Sequence, residues 1–250
     1  MNDSGRRHAP PSVEEVLSAP TVQWGRTSGG VAPETRAKIE TYWRQAFASR
    51  GLWRGEVFRI LCENRTASTW SVVLEATDYA HFIFGLDHNV VGSEACRVLY
   101  AAGVVVTDDN YCVIGKAGPK TASPGRLQLV SGGLIGPDLA EAERCFVHCL
   151  ERELWEEVGL TAADLCSWGP LYRAEESNGF VAVIYTVRTS LKFLEVCQRF
   201  DSLAGIESSE FRTLLGVRLE KSAVDSFFCS KVPKVSYLDE LIKILLNDAR

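Results

Sequence analysis

Apolar positions recur along this chain with two periods. Residues 55–62 alternate, Val57, Arg59 and Leu61 against Phe58, Ile60 and Cys62, and residues 70–76 alternate again after a turn at 64–68. A period of two marks a strand. Residues 98–106 are apolar and rich in β-branched side chains. The turn Thr107-Asp108-Asp109-Asn110 follows and residues 111–115 return, which predicts a hairpin. Further strands are predicted at 127–133 (with a bend at its end), within 164–173, at 180–188 across a turn tipped by Asn178-Gly179, and at 211–219.

Helical periods fall between these runs. After Pro33, residues 34–50 put Ile39, Tyr42, Trp43 and Phe47 on one face, and Gly51 stops the pattern. Residues 139–158 predict a long helix, with Leu150, Leu154 and Val158 on one face and Gly159 as its C-terminal stop. Residues 191–200 admit a helix, residues 223–229 a short one, and residues 237–247 an amphipathic one with Leu238, Leu241, Ile242, Leu245 and Leu246 inward. Strands, a helix, strands and helices in that order suit an α/β/α sandwich on a mixed sheet. Residues 1–32 are rich in Pro, Gly and Ser and predict a disordered or loosely ordered tail, with one short helical stretch at 13–17. The expected organisation is this tail, an N-terminal helix and β extension at 33–95, and the main domain at 96–250. No internal repeat is visible.

Composition narrows the class. The 250 residues are 46% hydrophobic and 24% charged, the balance of an ordinary soluble globular protein. A net charge of −5 provides no basic field to gather nucleic-acid phosphates, so broad nucleic-acid binding is not expected. No run of about 18 apolar residues is present, so no membrane span is expected. The polar start, with Arg6 and Arg7, predicts a tail and not a signal peptide, and a cytoplasmic location is expected. The eight cysteines form no C-x-x-C pair and are expected as buried reduced thiols. Cys145, His148 and Cys149 share a helix but have no second ligand pair to complete a tetrahedral site. His81 and His88 are expected to make local hydrogen bonds.

The chemistry concentrates at residues 152–160, Arg-Glu-Leu-Trp-Glu-Glu-Val-Gly-Leu. On a helix, Glu153, Glu156 and Glu157 fall within an arc of about 100°. Three carboxylates so placed repel one another unless a cation joins them, and hard oxygen ligands suit Mg²⁺ or Mn²⁺. The plainer alternative is a solvated acidic face. The nine residues match, at every specified position, the second half of the Nudix signature G-x5-E-x7-R-E-U-x-E-E-x-G-U, where U is a bulky aliphatic residue. Upstream, Ser131-Gly132-Gly133 follows an apolar run where that family has a strand and Pro-Gly-Gly. The chain resembles a Nudix hydrolase here. Two departures stand out. The segment from Gly133 to Arg152 is longer than the signature's, and the position of the signature's first glutamate holds Arg144, with Glu141 and Glu143 nearby. In the family that glutamate orients the arginine, so the support of Arg152 is open.

The resemblance implies a Nudix-like fold and a Mg²⁺- or Mn²⁺-dependent pyrophosphohydrolase. Glu156 and Glu157 are then metal ligands, Glu153 is a ligand or a water activator, and Arg152 braces the carboxylates. Gly133 allows backbone approach at the bend. Lys116, Lys120 and Arg126 would neutralise a diphosphate. A further glutamate from a later loop is implied as base or ligand; Glu207 and Glu210 stand at that place, with Glu175 and Glu176 as rivals. Tyr79, Phe82 or Phe84 would stack a base. The implied substrate is a nucleoside diphosphate linked to another moiety. The N-terminal extension and lengthened loop are similar in layout to members acting on nucleotide sugars, which would yield a nucleoside monophosphate and a sugar 1-phosphate. The expected partner is that small molecule, with a homodimer left open. The rival readings are a catalytically inactive Nudix-fold nucleotide- or RNA-binding protein and an isomerase on the same fold.

Overall fold

Two apolar, β-branched runs, β5 (Leu99–Val106) and β10 (Val181–Thr189), lie side by side in parallel near the middle of an eight-stranded sheet. Their sequences are largely apolar because helices cover both faces. The computed structural model describes residues 11–25, 30–47, 54–176, 178–203 and 210–248. The main sheet runs β1 (Ser12–Val16), β9 (Leu165–Glu175), β10, β5, β6 (Tyr111–Ala117) and β11 (Phe211–Arg218), antiparallel apart from β5 and β10. The short β7 (Leu127–Gln128) pairs with β6, and β8 (Val130–Gly133) pairs with β5.

Alternation along β5 sorts the layers. Leu99, Ala101 and Val105 pack with Phe146, Leu150 and Leu154 of α3 (Cys145–Val158), beside α4 (Phe193–Leu203). Ala102, Val104 and Val106 face the other way, onto α5 (Lys221–Cys229) and α6 (Leu238–Asp248), where Leu238, Leu241, Ile242 and Leu245 are buried. This is an α/β/α sandwich on a mixed sheet. A second sheet, β2 (Thr21–Trp24), β4 (Trp70–Asp78) and β3 (Glu56–Arg65), contributes Phe58, Ile60, Val72 and Leu74 to the α3-side core. Outside it, α1 (Pro33–Tyr42) packs Ile39 against Ala80, Ile83 and Phe84 of α2 (Tyr79–His88). The Asp78 carboxylate caps α2 by accepting from the His81 amide. Among the described residues no helix is long and apolar enough to cross a membrane.

Three expectations change. Within the expected tail, Ser12–Val16 and Thr21–Trp24 are strands, and 13–17 is not helical. Each adds to a sheet built by other residues, in register with β9 and β4 respectively, so neither needs a core of its own. Residues 1–10 and 26–29 lie outside the described residues. The pattern at 34–50 gives α1 and then a π-turn at Trp43–Phe47, with 48–53 outside the described residues. The expected helix at 139–158 is divided: a 3-10 turn at Gly136–Ala140 comes first, and α3 begins only at Cys145. Asp138 lies within the 3-10 turn. Its carboxylate turns back to accept from the Ile135 amide at 2.9 Å, closing the turn locally.

Candidate active site

The site forms where β8 ends in the Gly132-Gly133 bend and α3 packs behind it. A Cβ on Gly132 would overlap the Glu153 carboxylate, so a larger residue there would push Glu153 out of its place. The close approach therefore falls at Gly132; Gly133, the expected position, has open space where a Cβ would stand. The carbonyl of Gly133 instead accepts from Arg152 Nη2 at 3.0 Å.

Glu157 is 1% exposed. Its Oε2 accepts from the Ser131 amide at 3.0 Å, and its Oε1 has no hydrogen-bond partner among the described residues. Burial, followed by the charges of Glu153 and Glu210, pushes its carboxyl well above the usual range. Burial likewise raises Glu153 to about 7; Arg152 opposes the shift and Glu210 adds to it. Glu210, at the entrance to β11, is raised by desolvation and by Glu156. Two buried carboxylates, Glu153 and Glu157, and the exposed Glu210 thus act on one another across α3, β8 and the start of β11. Glu156 is half-buried and meets Arg152 Nη1 at 3.3 Å.

Arg152 is the bracket of the group. Nη1 donates to Glu153 at 2.5 Å, and Nη2 reaches Asp138 Oδ2 at 3.2 Å. Burial opposes its charge, but Glu153 and Asp138 more than offset this. Asp138, itself buried, holds the arginine where the signature's first glutamate would. Arg144, at the signature position, begins α3 without a side-chain cap bond, and Glu141 turns to His148 at 3.7 Å. The sequence reading missed Asp138; its only signal was an acidic residue inside the lengthened segment.

The donor set fits a hard divalent ion in kind: buried carboxylates, mutual repulsion and an orphaned oxygen. Among the described residues, however, no three Asp, Glu, His or Cys side chains stand as a ready ligand shell.

A cavity of about 400 Å³ opens beside the group. Gly132, Gly133, Arg152, Glu153 and Glu210 line it on one side, and Phe58, Tyr79, Phe82 and Phe180 form an aromatic wall. Of the expected substrate residues, Tyr79, Lys120 and Arg126 reach the cavity. Lys116 is not among its lining residues, since its position on β6 pairs with both Leu127 and Thr213. Arg126 turns to Glu176 and Gln128 instead of presenting a free charge. Phe84 stacks on His88 and meets Tyr42, away from the cavity lining. Among the candidates for a further acid, Glu210 joins the carboxylate group, Glu175 is held by Arg173 at 2.8 Å, and Glu207 lies outside the described residues. His81 bonds Thr77 and the Glu94 carbonyl, and His88 the Phe84 carbonyl. All eight cysteines are free thiols, but the expected burial holds only for Cys96, Cys112, Cys145 and Cys149; Cys62, Cys166 and Cys229 are exposed and Cys197 is half-buried.

No family model and no curated protein matches the chain in sequence. Solved structures that it resembles include DR0079 from Deinococcus radiodurans, at 15% identity over 59% of this chain and 82% of that one with a TM-score of 0.43. The NUDIX domain of Shewanella oneidensis NrtR complexed with ADP ribose aligns at 16% identity over 62% and 89%, TM-score 0.41. A NUDIX hydrolase from Nitrosomonas europaea aligns at 16% over 60% and 88%, TM-score 0.39. Likeness at this level says nothing of substrate. The chain's own residues carry the resemblance to the Nudix hydrolases: R-E-x-x-E-E-x-G on a helix packed behind a Gly-Gly bend, with its arginine braced by a buried acid.

Proposed function

We propose that this chain is a Mg²⁺- or Mn²⁺-dependent hydrolase of the pyrophosphate bond in a nucleoside diphosphate linked to another moiety. One observation carries the reading: Glu157 is buried with an unanswered oxygen among like charges, beside a cavity of substrate size. Such an arrangement costs stability and is expected where a cation and a phosphate complete it.

Glu153, Glu156 and Glu157 would hold the ion, which when bound screens phosphate charge and makes hydroxide available near neutral pH. Arg152, fixed by Asp138 and the Gly133 carbonyl, keeps Glu153 and Glu156 pointed at a common point. Gly132 leaves room for the Glu153 carboxylate. Glu210, on the cavity wall, would take the proton of the attacking water. A nucleotide sugar is the finer proposal, resting on the N-terminal extension: Phe58, Tyr79 and Phe82 come from it and close the cavity.

A noncatalytic nucleotide-binding module is the second reading, favoured by the absence of a ready ligand shell among the described residues. One experiment separates the two. Nucleotide sugars, ADP-ribose, dinucleotides, capped RNA and nucleoside triphosphates are screened for release of nucleoside mono- or diphosphate, resolved by chromatography, with Mg²⁺ and with Mn²⁺, for wild type and Glu157→Gln. Turnover of one class that chelator and the substitution both abolish supports the hydrolase. Binding without turnover of any class supports the module.

A further inference from the structure

The cavity holds a second polar group that the carboxylate chemistry leaves unused. Tyr100 Oη donates to Glu176 Oε1 at 2.8 Å and stands 3.2 Å from Tyr237 Oη. Arg126 Nη1 lies 3.5 Å from Glu176 Oε2, and Nη2 lies 3.3 Å from Gln128 Oε1. Arg126 Nε–H is buried without a partner among the described residues. Tyr100, Arg126, Glu176 and Tyr237 all line the cavity, and Glu176 is 6% exposed.

Strand alternation explains why these residues meet. Glu176 extends the β9 face of Tyr172 and Ala174, and Tyr100 shares the β5 face of Ala102; α6 covers both faces. Tyr237 directly precedes α6. Glu153 and Glu157 come from α3, on the opposite side of the sheet. The cavity therefore passes round the end of the sheet, with carboxylates toward one layer and the Glu176 group toward the other. Beside it stands an aromatic wall, Phe82 lying 5.3 Å from Phe180 and 5.4 Å from Tyr79 between ring centroids, the rings tilted by 33° and 38°.

The chemistry of an occupant follows. A buried carboxylate with spare lone pairs asks for an N–H or O–H donor. The unpaired Arg126 N–H asks for an acceptor beside it. The aromatic wall asks for a flat face. A phosphate would meet the charge of Glu176, and the charge of Arg126 is already answered by that same carboxylate. A sugar offers hydroxyls but no flat π face. A planar heterocyclic base offers all three features: a face, a donor and an adjacent acceptor on one edge.

We propose that Glu176 and Arg126 read the hydrogen-bonding edge of a nucleobase whose face lies on the Phe82 and Phe180 wall, with Glu176 as the specificity-determining residue. The proposal deepens, and rests on, the reading of this cavity as a nucleotide site. Glu176 accepts from the base, and Arg126 Nε–H donates to the neighbouring ring nitrogen or carbonyl oxygen. A base presenting the reverse pattern leaves buried polar groups unpaired and is rejected.

The test is binding without turnover. The full chain is titrated calorimetrically with AMP, GMP, CMP and UMP in the presence of chelator, as wild type, Glu176→Gln, Arg126→Lys and Phe82→Leu, with a melting curve for each. The expected result is a preference of about tenfold or more for one base in the wild type. Glu176→Gln loses that preference, Arg126→Lys weakens the preferred base most, and Phe82→Leu weakens all four alike. If Glu176→Gln does not fold, the Arg126→Lys result decides. Equal or absent binding of the four by wild type, or a preference that survives both polar substitutions, overturns the proposal. Turnover without base preference would remove this site and leave the hydrolase standing; base preference without turnover would do the reverse.

Discussion

Two regions of this molecule bury carboxylates, and they treat them in opposite ways. In the N-terminal extension, Glu75 is 5% exposed and gives one oxygen to Arg59 Nη2 at 2.6 Å, and Glu63 accepts from Arg173 Nε at 2.8 Å. Each acid there has its guanidinium. Behind the Gly-Gly bend, Glu153 and Glu157 are buried beside one another, the exposed Glu210 adds to their charge, and Arg152 answers only part of it. Burial raises Glu63 too, but Arg173 outweighs it and holds the carboxyl below its usual range; at Glu157 burial and neighbouring acids act together. Paired burial holds the fold together. Unpaired burial is a cost that folding alone does not explain, and it marks where a cation and substrate belong.

The contrast can be broken from either side. Removing one partner of a satisfied pair should have the largest effect: Glu75→Ala strands a buried Arg59, and urea unfolding should report a loss of ~3–5 kcal/mol. In the other region the same kind of change should cost activity and not stability. Glu157→Gln removes a repelling charge while keeping shape. Turnover should fall at least about a hundredfold, ~2.7 kcal/mol in barrier, while the metal-free midpoint in urea stays level or rises. A fall in that midpoint would mean that Glu157 is a structural acid like Glu75.

The brace comes next. Asp138→Asn should lower turnover by about tenfold to a hundredfold, the range seen when residues orienting metal ligands are changed, and Glu141→Gln should change nothing in the same assay. Equal losses would return the role to the neighbourhood of the signature position.

The smallest effect is the acid dependence of stability. Glu63 has its folded-state pKa lowered by Arg173. Its contribution is therefore complete above the unfolded pKa, near 4.5, and is lost as pH falls through the lower folded value. Glu63→Gln should flatten the stability curve of the protein below pH ~4.5, measured by melting temperature; an unchanged slope would deny the pairing.

The helix chemistry was legible because it is local. Glu153, Glu156 and Glu157 share an arc by the geometry of 3.6 residues per turn, and Gly159 closes α3 at φ 72, where glycine is at ease. The alternating and apolar runs likewise place β3, β4, β5, β6, β10 and β11 within a few residues of expectation. The strands at Ser12–Val16 and Thr21–Trp24 were illegible because their hydrogen-bond partners stand far along the chain, at Leu165–Glu175 and Trp70–Asp78. Such segments carry too little apolar pattern to announce themselves.

By itself, then, the sequence determined which residue types face one way on α3, where that helix stops, and that buried strands alternate with covering helices. Only the tertiary structure decided that Asp138 and not Arg144 meets Arg152, that Glu210 joins the helix acids while Glu175 goes to Arg173, and that Tyr100, Glu176 and Tyr237 converge. The physical reason is range: backbone geometry fixes neighbours within a turn or a pleat, whereas contacts between residues 76 and 137 positions apart follow from strand register and from which layer covers which face.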